Sequence, residues 1–362
     1  MTICRFGILG TATIARKNWK AIRLSDNACV TAVASRQPAK AQAFIDDCSE
    51  EVPPGGPVAA VSYEDLLKRE DVDAVYIPLP TGIRAEWVQK AARAGKHVLC
   101  EKPCGSNLGE VLEMVSACKA ANVQFMDGVM FMHSGRLPLV RQVLDDGTSV
   151  GNIRRITSQF SFAAPPEFLT GNIRADHALE PLGCLGDLGW YNSRLTLFVM
   201  DYQMPEKVSG RLLLGHGQAG KQVPLEFSAE LFFHGGVTAS FFNSFRTQHQ
   251  QWAHISGDKG WLSIPDFVLP YQGCESSFEV NNAHFHIAGC SFHMQGHPRR
   301  FAAIEQADGA PDSQETSMIR TFSTLALSGK PDPFWGDIAI KTQSILDALV
   351  KSAAMDGALV TV

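Results

Sequence analysis

The residues best suited to chemistry in this 362-residue chain are Glu101-Lys102-Pro103, set between Cys100 and Cys104 at the end of the apolar run 96–100. A lysine behind a buried strand holds a positive charge against a substrate hydroxyl or a developing alkoxide. A proline after it fixes the chain, with a cis bond open to it. Three residues alone describe a solvated loop lysine equally well, so the elements around them must decide. A second candidate is Gly10-Thr11-Ala12-Thr13-Ile14-Ala15, which follows the apolar run 4–9. Its spacing is that of the dinucleotide fingerprint G-x-G-x-x-G/A, with Ala12 at the second glycine. Small residues there let backbone N–H groups at a helix N-terminus approach a pyrophosphate. The alternative is a flavodoxin-like turn without a ligand.

A second short apolar run, residues 30–35, ends in Ser35-Arg36. An NAD site carries Asp or Glu near this place for the ribose hydroxyls. A hydroxyl followed by a guanidinium suits the 2′-phosphate of NADP instead, so NADP is expected ahead of NAD. A helix-capping Ser35 and a solvated Arg36 would explain the same residues. His284, His286, His293 and His297 also cluster, and alternation on a strand would put two imidazoles on one face for a metal. Only Cys290 stands near to complete a ligand set, so no metal is expected and these read as surface or pocket-lining histidines.

What positions the first groups is a series of alternating elements. Strands are expected at residues 4–9, 30–35, 73–78, 96–100 and 124–130. Helices are expected from Thr13, behind Pro38 to residue 45, from a capping pattern at Ser62, over 84–94 and over 107–121. Such alternation implies right-handed crossovers and a parallel, doubly wound sheet. After about Asp127 the texture changes to a helix at 137–145 and period-two runs at 153–162, 207–214, 225–233, 237–245 and 252–255. Turns at His234-Gly235-Gly236 and Gly257-Asp258-Lys259-Gly260 separate some of them, and further helices are expected at 185–200, 319–327 and 338–354. The fold class is α/β. A Rossmann dinucleotide-binding domain over residues 1–126 precedes a second α/β domain over 127–362 with a large, mostly antiparallel open sheet.

In this setting four stretches resemble the Gfo/Idh/MocA oxidoreductases, which include glucose–fructose oxidoreductase and inositol dehydrogenase. They are residues 7–12, residues 75–81 with Pro78 and Thr81, residues 94–103, and Gly186-Asp187-Leu188-Gly189-Trp190-Tyr191; residues 257–262 look like a late strand–turn of the family. The resemblance spans essentially the whole chain. It implies that the second domain binds substrate and supports contacts in a homodimer or homotetramer. It also implies an active-site Asp followed four residues later by His or Tyr, places filled here by Asp187 and Tyr191. On a helix those two share one face. Tyr191 would be general acid in reduction and base in oxidation, Lys102 would favour its phenolate, and Asp187 would orient a substrate hydroxyl. Tyr in that place resembles the glucose–fructose oxidoreductase, xylose dehydrogenase and dimeric dihydrodiol dehydrogenase branch. The same resemblance gives Gly10 to Ile14, Ser35, Arg36, Pro78, Thr81, Glu101 and Lys102 to the cofactor. Arg174 is a candidate for a polyhydroxy or anionic substrate, or a surface ion-pair partner. One departure stands out: Arg84 occupies a place where many members carry His, which puts the local cofactor contacts or helix packing in doubt.

The expected reaction is hydride transfer between a nicotinamide and a sugar, cyclic polyol or dihydrodiol hydroxyl. Two other readings stay open, a nucleotide-binding regulator without turnover and a redox-neutral glycosidase of the same family. Composition narrows the partners to small molecules. The net charge is −5 with Lys and Arg scattered, so nucleic acid is not expected. No apolar run approaches membrane-spanning length. Strand-like residues from Ile3 leave no room for an export signal, and nine cysteines without a CxxC pair read as free thiols of the cytoplasm.

Overall fold

The computed structural model describes residues 2–218, 220–307 and 309–362. They divide into two compact units. One comprises Met1–His133, Asp176–Pro181 and Asp308–Gln343; the other comprises Ser134–Ala175, Leu182–Ala307 and Ser344–Val362.

The first unit alternates as the sequence implies: β1 (Cys4–Leu9), α1 (Thr13–Leu24), β2 (Ala28–Ala34), α2 (Pro38–Glu51), β3 (Ala59–Val61), α3 (Tyr63–Lys68), β4 (Ala74–Ile77), α4 (Thr81–Arg93), β5 (His97–Cys100), α5 (Leu108–Ala120) and β6 (Phe125–Asp127). The strands pair in parallel in the order β3-β2-β1-β4-β5-β6. Helices cover both faces of such a sheet, which is why Phe6, Ile8, Val75, Ile77, Val98 and Leu99 run apolar without alternation and are all buried. Strand order reverses between β1 and β4. In a doubly wound sheet the ligand crevice opens at that point, outside the carboxyl ends of the strands. The turns after β1, β4 and β5 all lie at that end. Side chains fix the starts of α3 and α5: Ser62 Oγ accepts from Asp65 N at 3.1 Å, and Asn107 Oδ1 accepts from Glu110 N at 3.1 Å.

The second unit contains α6 (Arg136–Asp145), β7 (Ile153–Ser161), α7 (Phe168–Gly171), α8 (Gly183–Asp187), α9 (Gly189–Val199), β8 (Lys207–His216), β9 (Val223–Phe232), β10 (Thr238–Ser244), β11 (Gln250–Gly257), β12 (Trp261–Ile264), β13 (Glu275–Asn281), β14 (His284–Ala288), β15 (Ser291–Gln295) and β16 (Pro298–Ile304). In chain order α10 (Gln314–Leu327) then belongs to the first unit. The division between units falls within α11 (Phe334–Ala353), and β17 (Val360–Thr361) closes the second unit. Nine strands form one sheet in the order β16-β13-β12-β11-β7-β10-β9-β8-β17, mostly antiparallel, with β7 and β10 parallel. Strand β9 shows the one-sided burial this requires: Leu225, Phe227, Ala229 and Leu231 are buried and the residues between them are not. Among the described residues, strands β14 and β15 form a separate two-stranded sheet.

Some elements differ from the expectation. The short edge strand β3 has no counterpart among the expected strands. The strand expected at 124–130 stops at Asp127 and gives way to a 3-10 turn, Met130–His133. The helix expected over 185–200 is broken at Leu188 into α8 and α9. At Gly189, next to the break, the chain packs closely on β10: a Cβ there would lie 2.7 Å from Asn243 Oδ1.

Candidate active site

The nucleotide turn is built by backbone. Gly10 takes φ +127°, closed to residues with a side chain, and a Cβ there would sit 3.1 Å from Leu79. Helix α1 then starts with no side-chain cap and no acidic residue in its first turn. Its leading N–H groups and the positive end of its dipole are therefore left for an anion, as a dinucleotide pyrophosphate requires. Ile14 in that first turn is exposed. At the end of β2, Ser35 is buried and its Oγ accepts from Gln37 N at 3.4 Å. The residue that caps α2 is Gln37, without a side-chain bond, so Ser35 is no helix cap. Arg36 lies against Tyr63, whose phenol is pushed up by burial and drawn partly back by the Arg36 guanidinium and backbone.

The turn after β4 carries Pro78 and Thr81. The Thr81 N–H and hydroxyl donate to the two carboxylate oxygens of Glu180 at 3.0 and 2.6 Å, so the α4 N-terminus receives a carboxylate cap. Gly82 makes this close approach possible; a Cβ there would lie 2.1 Å from the Ala178 carbonyl oxygen. Thr81, expected at the cofactor, thus already holds the segment 176–181 by both its polar groups.

The Glu101-Lys102-Pro103 turn is held more firmly than its sequence suggests. The Lys102-Pro103 peptide is cis. Tyr76 on β4 donates its hydroxyl to Glu101 Oε1 at 2.7 Å, and the Lys102 N–H donates to Glu101 Oε2 at 3.1 Å. Burial, followed by the Glu101 charge and its hydrogen bond, pushes the Tyr76 phenol well above its ordinary range, and the Asn18 side chain hydrogen-bonds the same hydroxyl. Tyr76 is therefore a fixed donor, and Glu101 binds the turn to the sheet. From the other side Arg84, only 3% exposed, donates to the carbonyls of Leu79 (2.9 Å), Glu101 (2.9 Å) and Pro103, with Cys104 at 3.5 Å. The doubt raised by Arg84 resolves here into helix α4 packing against the lysine turn.

In the second unit Asp187 ends α8 and Tyr191 lies in the first turn of α9, so the expected pair straddles the break instead of sharing one continuous helix. Arg174 donates to Asp187 Oδ2 at 2.9 Å. Tyr191 is buried and meets Phe160 of β7 edge-on at 5.7 Å. Behind it runs a buried amide chain: Asn243 Nδ2 donates to Asn192 Oδ1 at 2.8 Å, and Asn192 Nδ2 donates to Ser158 Oγ at 2.7 Å. All of α9 is buried. Of the histidines, His286 faces His293 across the β14–β15 ribbon at 4.9 Å, and His284 stacks on His297, beyond the end of β15, at 5.2 Å. Among the described residues, no group of three or more His, Cys, Asp or Glu is placed to hold a metal. Tyr76, Glu180, Asn192 and Asn243 were not singled out by the sequence. A tyrosine in an apolar strand is a signal that could have found the first of them; the partners of the others lie far off in sequence.

A doubly wound sheet with an uncapped helix behind a positive-φ glycine, and a braced lysine at the same sheet end, defines a nicotinamide-dependent oxidoreductase. Known proteins agree. Residues 4–129 match the oxidoreductase family with an NAD-binding Rossmann fold, and residues 139–263 match the GFO/IDH/MocA C-terminal domain. The dTDP-3,4-didehydro-2,6-dideoxy-alpha-D-glucose 3-reductase of Saccharopolyspora spinosa is 34% identical over 74% of this chain and 76% of its own. The NADP-dependent D-xylose 1-dehydrogenase 2 of Haloferax volcanii is 34% identical over 76% of this chain and 81% of its own. Among solved structures, a 3-ketoreductase from Actinomadura kijaniata in complex with NADP and TDP-benzene is similar, with a TM-score of 0.81 and 28% identity over 97% of this chain and 98% of that one. The chain belongs to the Gfo/Idh/MocA oxidoreductase family. No helix among the described residues is long and apolar enough to cross a membrane.

Proposed function

We propose that this protein is an NADP-dependent dehydrogenase or reductase of a sugar-like CH–OH or ketone group, with Lys102, Asp187 and Tyr191 serving one reaction. The observation that carries the reading is the bracing of the Lys102 turn, at the same carboxyl end of the sheet as the uncapped start of α1. Gly10, Thr11, Ala12, Thr13 and Ile14 would cradle the pyrophosphate. Ser35 and Arg36, where no carboxylate stands, fit a 2′-phosphate. Pro78 and Glu101 would line the cofactor through the turns they build, and Thr81 through its helix start. Bound NADP supplies the hydride chemistry. The chain's own residues supply the proton and the charge: Tyr191 gives a proton to the substrate oxygen in reduction and accepts it in oxidation, while Lys102 stabilises the oxyanion and the phenolate. Asp187, itself oriented by Arg174, holds a neighbouring hydroxyl.

The functional division is residues 1–126 for cofactor and 127–362 for substrate and for homo-oligomer contacts through the open sheet. All nine cysteines are free thiols, which fits the cytoplasm. The test is a panel of pentoses, hexoses, inositols, dihydrodiols and a nucleotide-linked 3-keto sugar, each assayed with NADP(H) and NAD(H) by absorbance at 340 nm. Turnover with a sugar-like substrate and preference for NADP support the reading. Tight NADP binding with no turnover across the panel would favour a regulator, and turnover without net absorbance change a redox-neutral enzyme.

A further inference from the structure

Arg84 is a buried cation that donates to main-chain oxygens. Its guanidinium donates to the Leu79 carbonyl on one side and to the carbonyls of Glu101 and Pro103 on the other, with Cys104 at 3.5 Å. A guanidinium is suited to this, because its five N–H donors are fixed in one plane and it stays charged at every working pH. Burying that charge is unfavourable unless it is well hydrogen-bonded, so the site is used where one rigid group must bind several acceptors. The acceptors belong to two different turns. Leu79 lies between Pro78 and Thr81 in the turn after β4, whereas Glu101, Pro103 and Cys104 surround Lys102 in the turn after β5. Tyr76 braces the second turn through the Glu101 carboxylate, and Arg84 braces its carbonyls and ties them to the first.

We propose that Arg84 is a positioning residue that sets the distance between the cofactor turn at Pro78–Thr81 and the ammonium of Lys102. The proposal rests on the function assigned to Lys102 above. Neither end of the bridge needs to touch substrate. Loss of the guanidinium lets the lysine turn relax relative to the nicotinamide-side turn, and a displacement of about 1 Å at reacting groups lowers turnover on the order of 100-fold. Cofactor affinity is expected to change far less than turnover, since the residues proposed for the pyrophosphate and the 2′-phosphate lie on the turns after β1 and β2 and only the lining from Pro78, Thr81 and Glu101 is disturbed.

The test is a double-mutant cycle on the full-length protein with D-xylose and NADP, or with the best substrate of the panel above, together with NADPH titration by fluorescence. Arg84→Gln and Lys102→Met are made singly and together. For Arg84→Gln the expected result is kcat lowered on the order of 100-fold with the NADPH Kd within about threefold. The double variant is then no slower than Lys102→Met alone, because Arg84 acts through the lysine. Multiplicative losses in the double variant, or an unchanged kcat in Arg84→Gln, overturn the proposal. Full activity in Lys102→Met overturns the site assignment instead, so the two failures are distinct. Should Arg84→Gln not fold, Arg84→Lys keeps the charge but not the planar fork that reaches both turns, and the same cycle applies to it. Hydrogen–deuterium exchange on the NADP-bound protein adds a readout that needs no substrate. Faster exchange confined to residues 100–105 in the Arg84 variant is expected, and unchanged exchange there counts against the bridge.

Discussion

The turn that carries Lys102 and the helix that carries Tyr191 are immobilised by opposite means. In the first unit a short irregular turn is held by side chains reaching inward to its backbone and its carboxylate: Arg84 to carbonyls, Tyr76 to Glu101. In the second unit a regular helix is held by being buried along its whole length, with the Asn243–Asn192–Ser158 chain fixing its height on β7 and β10. A turn has no internal hydrogen-bond ladder, so each of its polar groups must find a partner. A helix satisfies its own backbone and needs only packing and register. The first design is vulnerable at single polar atoms, the second at volume and at the close contact of Gly189.

The largest effects should come from the two groups that these supports present. Tyr191→Phe and Lys102→Met are each expected to lower kcat by about 10²–10⁴-fold, the usual worth of a positioned proton donor or charge, with NADPH affinity by fluorescence titration within about threefold. If Tyr191→Phe alone lost cofactor affinity and kept kcat, the comparison would have the wrong residue at its centre. Arg174→Ala should act more mildly, raising KM more than it lowers kcat, because it acts on the substrate through Asp187, to which it donates at 2.9 Å.

The two regions also differ in how far they could be read from residues alone. Strand positions β1, β4 and β5 and the start of α1 follow from continuous apolar runs ending in Gly10, Pro78 and Glu101, since a parallel sheet buries both faces and leaves a strong signal. Lys102 and the nucleotide turn were legible for that reason. Asp187 and Tyr191 were legible through a family motif, but their helix was read as continuous. Nothing local marks the break at Leu188, and Gly189 beside it packs against Asn243, over fifty residues away in sequence. The same limit hid Glu180 at Thr81 and the carbonyl contacts of Arg84. Alternation gives the face of a strand, and no local pattern gives the partner of a buried polar atom.

A smaller effect, now on stability, separates the two designs further. Tyr76→Phe removes a buried donor from Glu101 and should destabilise by about 1–3 kcal/mol, the penalty for a buried polar group left short of a partner. It should also slow turnover, since Glu101 anchors the Lys102 amide. Asn192→Ala opens the amide chain and should destabilise by a similar 1–3 kcal/mol or so. It also loosens α9, so kcat falls with it. Thermal melting with and without NADPH checks both. Cofactor should restore Tyr76→Phe more than Asn192→Ala, because only the former lies in the nucleotide-binding unit. Equal rescue would show that the two supports are not independent.

The smallest expected effect is a pH dependence carried by His97 at the start of β5. Its Nδ1 accepts from the Gln124 N–H at 2.9 Å, a contact open only to the neutral ring with its proton on Nε2. Burial, only partly opposed by the Asp73 charge, lowers its pKa below the ordinary histidine value. The unfolded chain takes up a proton near pH 6.5, an ordinary value, while the folded chain waits for a lower pH. Between those two points the unfolded state binds more protons, so stability falls as pH falls below about 6.5. Above that pH both states are neutral at this site and its contribution is flat. His97→Gln should remove this part of the acid sensitivity. The drop in melting temperature between pH 7.5 and pH 5.5 should be smaller in the variant than in the parent protein, with the pH 7.5 values close together. An identical drop in both would place the acid sensitivity of the first unit elsewhere, and the neutral acceptor at Gln124 would then be a packing detail of the β5–β6 edge.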